Sequence, residues 1–418
     1  MIKELRDTAI GFFILVVAFS GSLYGIMLAC FGLVHSSIVV HLYYFAIAFG
    51  LLLFFIGAAN KISLKPFVNT ILIGIVVAIL YFWAHLHYQS TPIHSYFESN
   101  TTFQATHNGY HRYFIYILVH FIPAIAMGAM MLQDSSVLKK MDKALLPFIL
   151  FFTIVLAYTI FSAKISYSVA TTFEYMNDQT LNYQLVSYYS MFAFGMTLYL
   201  ISNHRYPWIF YILLTALAAL QLVLALTAGG RGAFVMGLAF CLYFGLTRLS
   251  FGKMTLYILL AGVAFLVVQY LLVNNELFGQ GYERIMNFFS NQENYRTDNR
   301  WVRWDLSFES FATSPIIGHG IGSVFYEVGY YSHEIFLDIL CEGGLVLFGI
   351  FAYGLFKFGS LLWSSIKYDR HNELLLVLFL CSFVYLCFSG YYLGESAGWL
   401  AVSYVLCRGR NYEKEAVV

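Results

Sequence analysis

Long apolar stretches follow one another along almost the whole chain, and they constrain its fold more than any other feature. Of the 418 residues, 60% are hydrophobic and only 11% are charged. A water-soluble domain has no interior large enough to bury so much apolar surface. The stretches have the length of a helix that crosses a bilayer, about 20 residues, rather than the alternating pattern of barrel strands. We therefore expect an all-α, polytopic membrane protein.

The apolar stretches predict about twelve transmembrane helices, at residues 9–33, 37–58, 67–86, 113–132, 145–168, 183–203, 207–227, 232–248, 254–273, 334–362, 372–389 and 392–407. The first stretch is longer than a signal-peptide core and lacks a small-residue cleavage site, so we count it as a span. No internal repeat is visible, and we expect a single integral membrane domain over residues 1–418. Residues 274–332 form a loop between helices 9 and 10 that is too long for a simple turn.

The basic residues predict the orientation of the chain in the membrane. With the N-terminus in the cytoplasm, most of the lysines fall on the cytoplasmic side, as the positive-inside rule requires. The cytoplasmic set is Lys3, Arg6, Lys61, Lys65, Lys139, Lys140, Lys143, Arg205, Arg248, Lys253, Lys357, Lys367, Arg370, Arg408, Arg410 and Lys414. Both termini are then cytoplasmic, and the loop 274–332 lies on the outer face.

The basic residues left on the outer face are mostly arginines. They are Arg112, Lys164, Arg231, Arg284, Arg296, Arg300 and Arg303. A guanidinium group presents a planar fork of donors that suits phosphate oxygens, whereas a lysine ammonium acts as a point charge. This bias indicates an anionic, phosphorylated ligand on the outer face. Ordinary ion pairing with nearby acids, such as Glu283 or Glu309, is the alternative.

Two segments of the long loop have apolar residues at helical spacing, YERIMNFFS and WVRWDLSFESFAT, and predict short amphipathic helices on the membrane surface. In the second, Arg300 and Arg303 stand one turn apart, and so do Trp301 and Trp304. We expect one face to carry guanidinium groups and the neighbouring face indoles, with Pro315 ending the helix. An interfacial helix that only rests on lipid is the alternative.

Arg231 lies in the segment TAGGRGAF, in a very short turn at the outer mouth between the seventh and eighth spans. The glycines on either side allow a ligand to approach the backbone closely. A charged residue so near the hydrocarbon is costly, which makes Arg231 a candidate functional residue. The alternative is an arginine that extends to the lipid headgroups and anchors a helix end.

His333 stands at the outer mouth of the tenth span and could act as a general base for a hydroxyl group. A hydrogen-bonded structural histidine is the alternative. Glu334, Asp338 and Glu342 follow at four-residue steps and form an acidic stripe that enters the membrane. We expect these acids to face the protein interior, where one of them orients His333 or pairs with an arginine.

Neither histidines nor cysteines predict a metal site. His85 and His87 are two residues apart and would not share a helix face, and His94, His107 and His111 are scattered among polar residues. All six cysteines lie inside apolar stretches, so we expect neither disulfides nor a metal cluster. The net charge of +1 gives no indication of nucleic-acid binding.

Several of these residues together resemble the signature of the bacterial O-antigen polymerase and O-antigen ligase superfamily. The matching positions are Arg300, Trp304, Pro315, Gly318, Gly320, His333, Leu337, Leu340, Glu342 and Gly344. The segment GGRGAF around Arg231 resembles the upstream arginine motif of that superfamily. The resemblance covers roughly residues 227–349, whereas the N-terminal half is similar only in its many apolar spans.

The resemblance implies an inverting glycosyl transfer, independent of metal and cofactor, at the periplasmic face of the bacterial inner membrane. The donor would be an undecaprenyl-pyrophosphate-linked glycan and the acceptor a second glycan or lipid A core, as in lipopolysaccharide biosynthesis, with a flippase and a chain-length regulator as further partners. Arg231 and Arg300 would hold the pyrophosphate, and His333 would take the proton of the acceptor hydroxyl. From the local pattern, we expect the substrate to be bound by four further residues, Arg303, Trp304, Trp301 and Glu334.

The details favour a polymerase of polysaccharide repeat units over a ligase. Many ligases have asparagine, serine or glutamine after the histidine, where this chain has Glu334, and a small or polar residue where it has Leu347. A ligase that transfers the glycan to lipid A core or to protein remains the alternative. A lipid-linked glycan transporter would need charged groups near mid-span, and a metal-dependent glycosyltransferase would need acids in the first outer loop, where 34–36 has none.

Overall fold

A computed structural model of the chain describes residues 2–23, 65–88, 116–162, 165–166, 181–248, 262, 266, 270, 299–328 and 331–415. The predicted span 37–58, nearly all of 254–273 and the first part of the long loop, with its segment YERIMNFFS, lie outside these residues. The described part is almost entirely helical, and its strand pairing is limited to a two-residue parallel ladder. The all-α fold class is thus confirmed for this part of the chain.

The elements, in chain order, are α1 Ile2–Ala18, α2 Lys65–Tyr88, a π-helical turn Ile117–Phe121, α3 Ile122–Met131, α4 Val137–Phe161, β1 Ile165–Ser166, β2 Leu181–Asn182, α5 Tyr183–Asn203, α6 Trp208–Ala228, α7 Arg231–Arg248, α8 Asn299–Thr313, α9 Val324–Glu327, α10 Ile335–Tyr368, a 3₁₀ turn Arg370–Asn372, α11 Glu373–Phe388, a 3₁₀ turn Tyr392–Gly394 and α12 Ser396–Glu415. They form two compact units. The first unit comprises Met1–Tyr43, Ser136–Gln292 and Asp369–Tyr385. The second comprises Tyr44–Ser135, Glu293–Tyr368 and Leu386–Val418.

Helix α5 is the centre of the first unit. It packs against α4, α6 and α7, and 83% of the residues in its most apolar stretch are buried. The helix begins where the side chain of Asn182 accepts a hydrogen bond from the Gln184 backbone N–H, which satisfies one of the unpaired amides of the first turn. Helix α1 packs along α4 through aromatic contacts, with the rings of Phe12 and Phe19 at 5.6 and 5.7 Å from that of Phe148.

The second unit surrounds the polar segment between α8 and α10. Helix α3 packs against α2 and α12, and α8 packs against α10. The buried core of this unit includes Tyr81 of α2, Phe121 of the π-helical turn, Phe325 of α9 and Ile339 of α10. We call residues 314–328 and 331–334, between α8 and α10, the outer segment, after the side of the membrane predicted for them. Its residues are therefore fixed against membrane helices rather than extended into solvent.

Six helices in the described part are long and apolar enough to cross a membrane. They are Val68–His87, Val137–Phe161, Tyr183–Asn203, Trp208–Ala228, Ile335–Tyr368 and Arg370–Phe388. The segment Ile117–Met131 is a shorter apolar helix. The prediction of a helical membrane protein is confirmed, whereas the number of twelve spans stays a prediction.

The predicted span 145–168 is wrong at both ends, because α4 runs from Val137 to Phe161. Its first turns contain lysines, which lower the mean hydropathy and so place these turns outside the predicted span. Lysine nevertheless favours helix, and its long side chain can extend the charge away from the apolar core. Lys140 Nζ lies 3.7 Å from an Asp7 carboxylate oxygen, and the buried Asp142 carboxylate lies 2.9 Å from His204 Nε2. These partners allow the charged residues to be part of the packed helix.

Helix α10 is kinked at Gly344, which the sequence pattern did not predict. Gly344 has φ 57° and ψ −159°, a conformation that is essentially restricted to glycine. The kink frees backbone groups that the outer segment then satisfies. Four hydrogen bonds join the two: His319 N–H to Cys341 O at 3.1 Å, Gly320 N–H to Glu342 O at 2.7 Å, Leu345 N–H to Pro315 O at 2.8 Å and Val346 N–H to Ile316 O at 3.1 Å. The outer segment is thereby attached to the same helix, α10, that begins two residues after His333.

Candidate active site

Helix α8 carries the paired arginines and tryptophans, as its periodicity predicted. Arg303 is 6% exposed, whereas Arg300 is partly exposed. The rings of Trp301 and Trp304 meet edge to face, with centroids 4.9 Å apart. The two arginines therefore differ in surroundings: one belongs to the protein interior and the other is accessible to a ligand.

The backbone of Ser332, immediately before the candidate base, is held from two sides. Trp304 Nε1–H donates to the Ser332 carbonyl oxygen at 3.1 Å, and the Ser332 amide donates to Asp338 Oδ1 at 2.7 Å. The hydroxyl of Ser332 donates to the Glu334 carbonyl oxygen at 2.7 Å and accepts from the Glu334 N–H at 3.1 Å. The peptide that leads into His333 is therefore fixed by α8, by α10 and by its own side chain.

His333 adopts a left-handed backbone conformation, with φ 65°. For a residue with a Cβ atom this conformation costs about 1–2 kcal/mol. Such strain persists only where the surroundings determine the conformation, and it is concentrated at functional sites. The hydrogen bonds on Ser332 supply that determination, and the Tyr331 ring packs edge to face against the imidazole with centroids 4.5 Å apart.

The surroundings of His333 keep its imidazole neutral. Burial lowers the pKa of His333 well below its usual value near 6.5, and the positive charges of Arg303 and Arg300 lower it further. A neutral imidazole can accept a proton at neutral pH. The two guanidinium groups of α8 are thus close enough to act electrostatically on the candidate base, and their role toward a substrate stays a prediction.

The three acids of the predicted stripe have three different roles. Glu334 caps α10, because its carboxylate accepts from the Leu337 N–H at 2.9 Å, and burial raises its pKa while backbone hydrogen bonds oppose that rise. Asp338 is buried and holds the Ser332 amide, so it orients His333 indirectly. Glu342 is buried and accepts from the hydroxyl of Tyr391 at 2.8 Å and from that of Tyr392.

Arg231 belongs to the first unit, whereas the other candidate residues belong to the second. It is the first residue of α7, and its side chain is exposed. The turn before it contains Gly229 in the left-handed conformation, φ 76°, which ends α6. The predicted short turn at a helix end is confirmed, and the role of Arg231 toward a substrate stays a prediction.

The residues that hold the candidate site in place could not be recognised from the sequence. Ser332, Tyr331 and Tyr391 contact His333 or its supports from segments with no recognisable motif. Ser332 could have been suspected from its position one residue before a candidate base. The tyrosines are among 33 in the chain, and nothing in their local sequence separates them from the others.

In the part of the chain that the structure describes, no group of three or more histidine, cysteine or acidic side chains is placed to bind an ion. His94, His107 and His111 lie outside that part. His85 instead pairs with Tyr326, with its Nδ1 at 2.8 Å from the phenolic oxygen. Cys241, Cys341 and Cys387 form no disulfide bond.

Comparison with known proteins finds a match for the region that contains these residues. Residues 213–352 match the family model described as O-antigen ligase, and no curated protein matches the chain. The matched region extends from α6 into α10 and includes Arg231, α8 and His333. The resemblance drawn from the sequence is thereby confirmed for this region.

Proposed function

We propose, because residues 213–352 belong to the O-antigen polymerase and ligase superfamily, that the chain polymerises lipid-linked polysaccharide repeat units. The donor is an undecaprenyl-pyrophosphate-linked glycan, and the product is O-antigen, common antigen or capsule. The reaction is an inverting glycosyl transfer that needs neither a metal nor a cofactor. It takes place at the periplasmic face of the bacterial inner membrane.

The observation that carries the proposal is the neutral, strained His333 beside the guanidinium groups of α8. Its pKa is lowered by burial and by Arg303 and Arg300, so the imidazole is unprotonated at neutral pH and can act as a base. The same positive charges suit a ligand that gains negative charge during the reaction. A site that only anchored a helix to lipid would have no need of a strained histidine whose preceding residue, Ser332, is hydrogen-bonded from two sides.

The reaction balances with the residues at hand. The acceptor hydroxyl oxygen attacks the anomeric carbon of the donor, the bond from that carbon to the pyrophosphate oxygen breaks, and undecaprenyl pyrophosphate leaves with the electron pair. The hydroxyl proton passes to the imidazole of His333, whose Nδ1 is buried, so the acceptor approaches from the Nε2 side. Attack opposite the leaving group inverts the configuration.

The leaving group determines what else the protein must supply. Pyrophosphate already carries negative charge well, so the protein has to stabilise additional charge and orient the reactants rather than provide a strong acid. Arg300 is partly exposed and is assigned to the pyrophosphate. Substrate binding is assigned to Trp301, Trp304 and Glu334, and also to Arg303, whose side chain is buried. The role of Arg231 in holding pyrophosphate rests on its resemblance to the upstream motif.

The membrane arrangement is part of the same proposal. Twelve spans in a single integral domain place both termini in the cytoplasm and the loop 274–332 in the periplasm, with part of the active site on it. The distribution of lysines supports this orientation. A flippase would supply the donor to the periplasmic face, and a chain-length regulator would act on the product.

A ligase that transfers the finished glycan to lipid A core, or to protein, is the second candidate, and the description of the matching family favours it. The chemistry at His333 would be the same, and only the acceptor would differ. A transporter of lipid-linked glycans is a third candidate, but it gives no role to a base held in a strained conformation at one helix end.

Deletion of the gene and analysis of the surface polysaccharide on a gel distinguish these candidates. If the chain is a polymerase, the deletion leaves single repeat units on lipid A core, and the wild-type gene restores the ladder. If it is a ligase, the deletion leaves bare core while long undecaprenyl-linked chains accumulate. If it is a transporter, donor accumulates on the cytoplasmic face, and His333→Ala remains functional.

Point variants then test the assigned residues. We expect His333→Ala, Arg300→Ala and Arg231→Ala to be expressed normally and to lose the ladder. Arg205→Ala is the control, because Arg205 is exposed and lies on the face predicted to be cytoplasmic. A full ladder from His333→Ala would remove the proposed base, and with it the proposed mechanism.

A further inference from the structure

The turn that presents Arg231 is held by a side chain from a third helix. Helix α6 ends at Ala228 and α7 begins at Arg231, so only two glycines connect them. Ser187 of α5 is fully buried beside this turn. Its hydroxyl donates to the Ala225 carbonyl oxygen at 2.8 Å and accepts from the Gly230 N–H at 2.8 Å. One hydroxyl thus bridges the last turn of α6 and the amide that precedes Arg231.

The turn before α7 can lie this close to Ser187 of α5 because residue 230 is a glycine. A Cβ atom on Gly230 would lie 2.5 Å from the Ser187 Cβ atom, so any side chain at residue 230 would push the turn away from α5. Serine is the smallest side chain that offers both a donor and an acceptor. The Gly230 amide is buried at this bond, and losing the hydroxyl would leave it unsatisfied or force the turn to move.

We propose that Ser187 is a positioning residue for Arg231 and that it sets the direction in which the turn presents the guanidinium group. This inference rests on the proposed function, in which Arg231 holds the pyrophosphate of the donor. The Gly230 N–H belongs to the peptide that joins Gly229 to Gly230, one unit before the peptide of Arg231, so holding it restricts the direction in which α7 starts. Ser187 itself does not touch the reacting atoms.

The chain supplies a matched control in Ser190, one turn further along α5. Ser190 is also fully buried, but its hydroxyl donates to the Val186 carbonyl oxygen of the same helix at 2.8 Å. Ser187→Ala and Ser190→Ala therefore remove the same atom from the same helix. They differ in whether that atom reaches the turn before Arg231.

The first measurement is hydrogen exchange of the full chain in lipid nanodiscs, followed by mass spectrometry of the peptides that cover residues 226–234. We expect faster exchange there in Ser187→Ala, an intermediate effect in Ser187→Cys, whose thiol is a weaker acceptor, and no change in Ser190→Ala. Unchanged exchange in Ser187→Ala would overturn the inference whatever the function of the chain.

The second measurement is the rate at which labelled sugar enters surface polysaccharide in deletion cells that carry each variant. We expect Ser187→Ala to lower the rate about tenfold, within the range of small misplacements at active sites. In an Arg231→Lys background, which retains the charge without the planar fork, the same change should have little further effect, because the group that Ser187 positions is already impaired.

The outcomes separate this inference from the proposed function. Equal losses from Ser187→Ala in both backgrounds, or an equal loss from Ser190→Ala, would show a structural role only and overturn the inference. Wild-type activity of both Arg231→Lys and Arg231→Ala would remove Arg231 from the proposed reaction, and the positioning role would fall with it. Faster exchange with full activity in Ser187→Ala would likewise overturn it.

Discussion

His333 combines a strained backbone with an imidazole that stays neutral, and α8 contributes to both properties. Helix α8 provides Trp304, which binds the Ser332 carbonyl group, and also Arg303 and Arg300, whose charges add to the effect of burial in lowering the pKa of His333. Helix α10 provides Asp338, which binds the Ser332 amide. The packing of α8 against α10 therefore sets the conformation and the protonation state of the candidate base together.

The pH dependence of the reaction tests this electrostatic effect. A base with a lowered pKa remains unprotonated as the pH falls, so we expect wild-type activity to persist below pH 6.5. Replacing Arg303 by glutamine removes a positive charge that disfavours the imidazolium form, so the pKa of His333 should rise. The acidic limb of the rate profile should then start at a higher pH.

The measurement is the rate of glycosyl transfer by protein reconstituted in liposomes between pH 5 and pH 8. Arg205→Gln is the control, since it removes an exposed charge on the face predicted to be cytoplasmic and should leave the profile unchanged. The electrostatic account fails if Arg303→Gln lowers the rate by the same factor at every pH.

Helix α10 is shaped by a single glycine and by the segment that pairs with its opened backbone. A Cβ atom on Gly344 would lie 2.5 Å from the Ile316 carbonyl carbon, and its φ and ψ angles exclude other residues. Gly318 makes the reciprocal approach, since a Cβ atom there would lie 2.4 Å from the Glu342 carbonyl carbon. The outer segment and the helix thus fit together only where both residues are glycines.

Replacing Gly344 by alanine should therefore destabilise the protein by about 3 kcal/mol or more, from backbone strain and from the contact with Ile316. Gly349→Ala is the matched control, because Gly349 lies on the same helix with no atom near the added methyl group. Its effect should stay within about 1 kcal/mol, or be stabilising, as helix propensity favours alanine.

Thermal unfolding of the two variants in detergent, followed by intrinsic fluorescence, measures the difference. Equal midpoints for Gly344→Ala and Gly349→Ala would contradict the account of the kink. The outer segment leads directly into His333, so displacing it from α10 should also displace His333. We therefore expect Gly344→Ala to lose the polysaccharide ladder at temperatures where the protein remains folded.

The helices could be predicted from the sequence, whereas the contacts that build the site could not. Hydropathy located α5, α6 and α7 nearly to the residue, and periodicity located α8. The kink at Gly344 was missed because hydropathy is the same for a straight helix and a broken one. The start of α4 was missed because its lysines are tolerated by pairing and by their long side chains.

The candidate residues were predictable because their chemistry is visible in the residue type, but their supports were not. Arginine near hydrocarbon and histidine at a helix mouth stand out in any apolar sequence. Ser187 accepts a hydrogen bond from the Gly230 amide, which is distant in sequence. Asp338 accepts one from the Ser332 amide, which lies before the start of its own helix. Only the folded chain shows which amide each one meets.

For the whole molecule, the distribution of charge predicts a single orientation in the membrane. The net charge is only +1, yet ten of the eleven lysines lie on the predicted cytoplasmic face, whereas six of the seven basic residues on the predicted outer face are arginines. The positive-inside bias predicts this orientation, while the arginines on the predicted outer face oppose that bias and so need another reason to be there. The proposed pyrophosphate ligand provides that reason, and it requires α8 and the start of α10 to face the periplasm.

This orientation can be tested with single cysteines placed on the two predicted faces. Glu309 of α8 and Arg205, between α5 and α6, are both exposed, so a cysteine at either residue is open to reagent. In cells with a permeabilised outer membrane, a membrane-impermeant maleimide should label Glu309→Cys and should label Arg205→Cys only after lysis. The native cysteines lie in apolar stretches and provide the background measurement. Labelling of Arg205→Cys in intact cells, with Glu309→Cys protected, would place His333 and α8 in the cytoplasm, where an undecaprenyl-linked donor for periplasmic polymerisation cannot reach them.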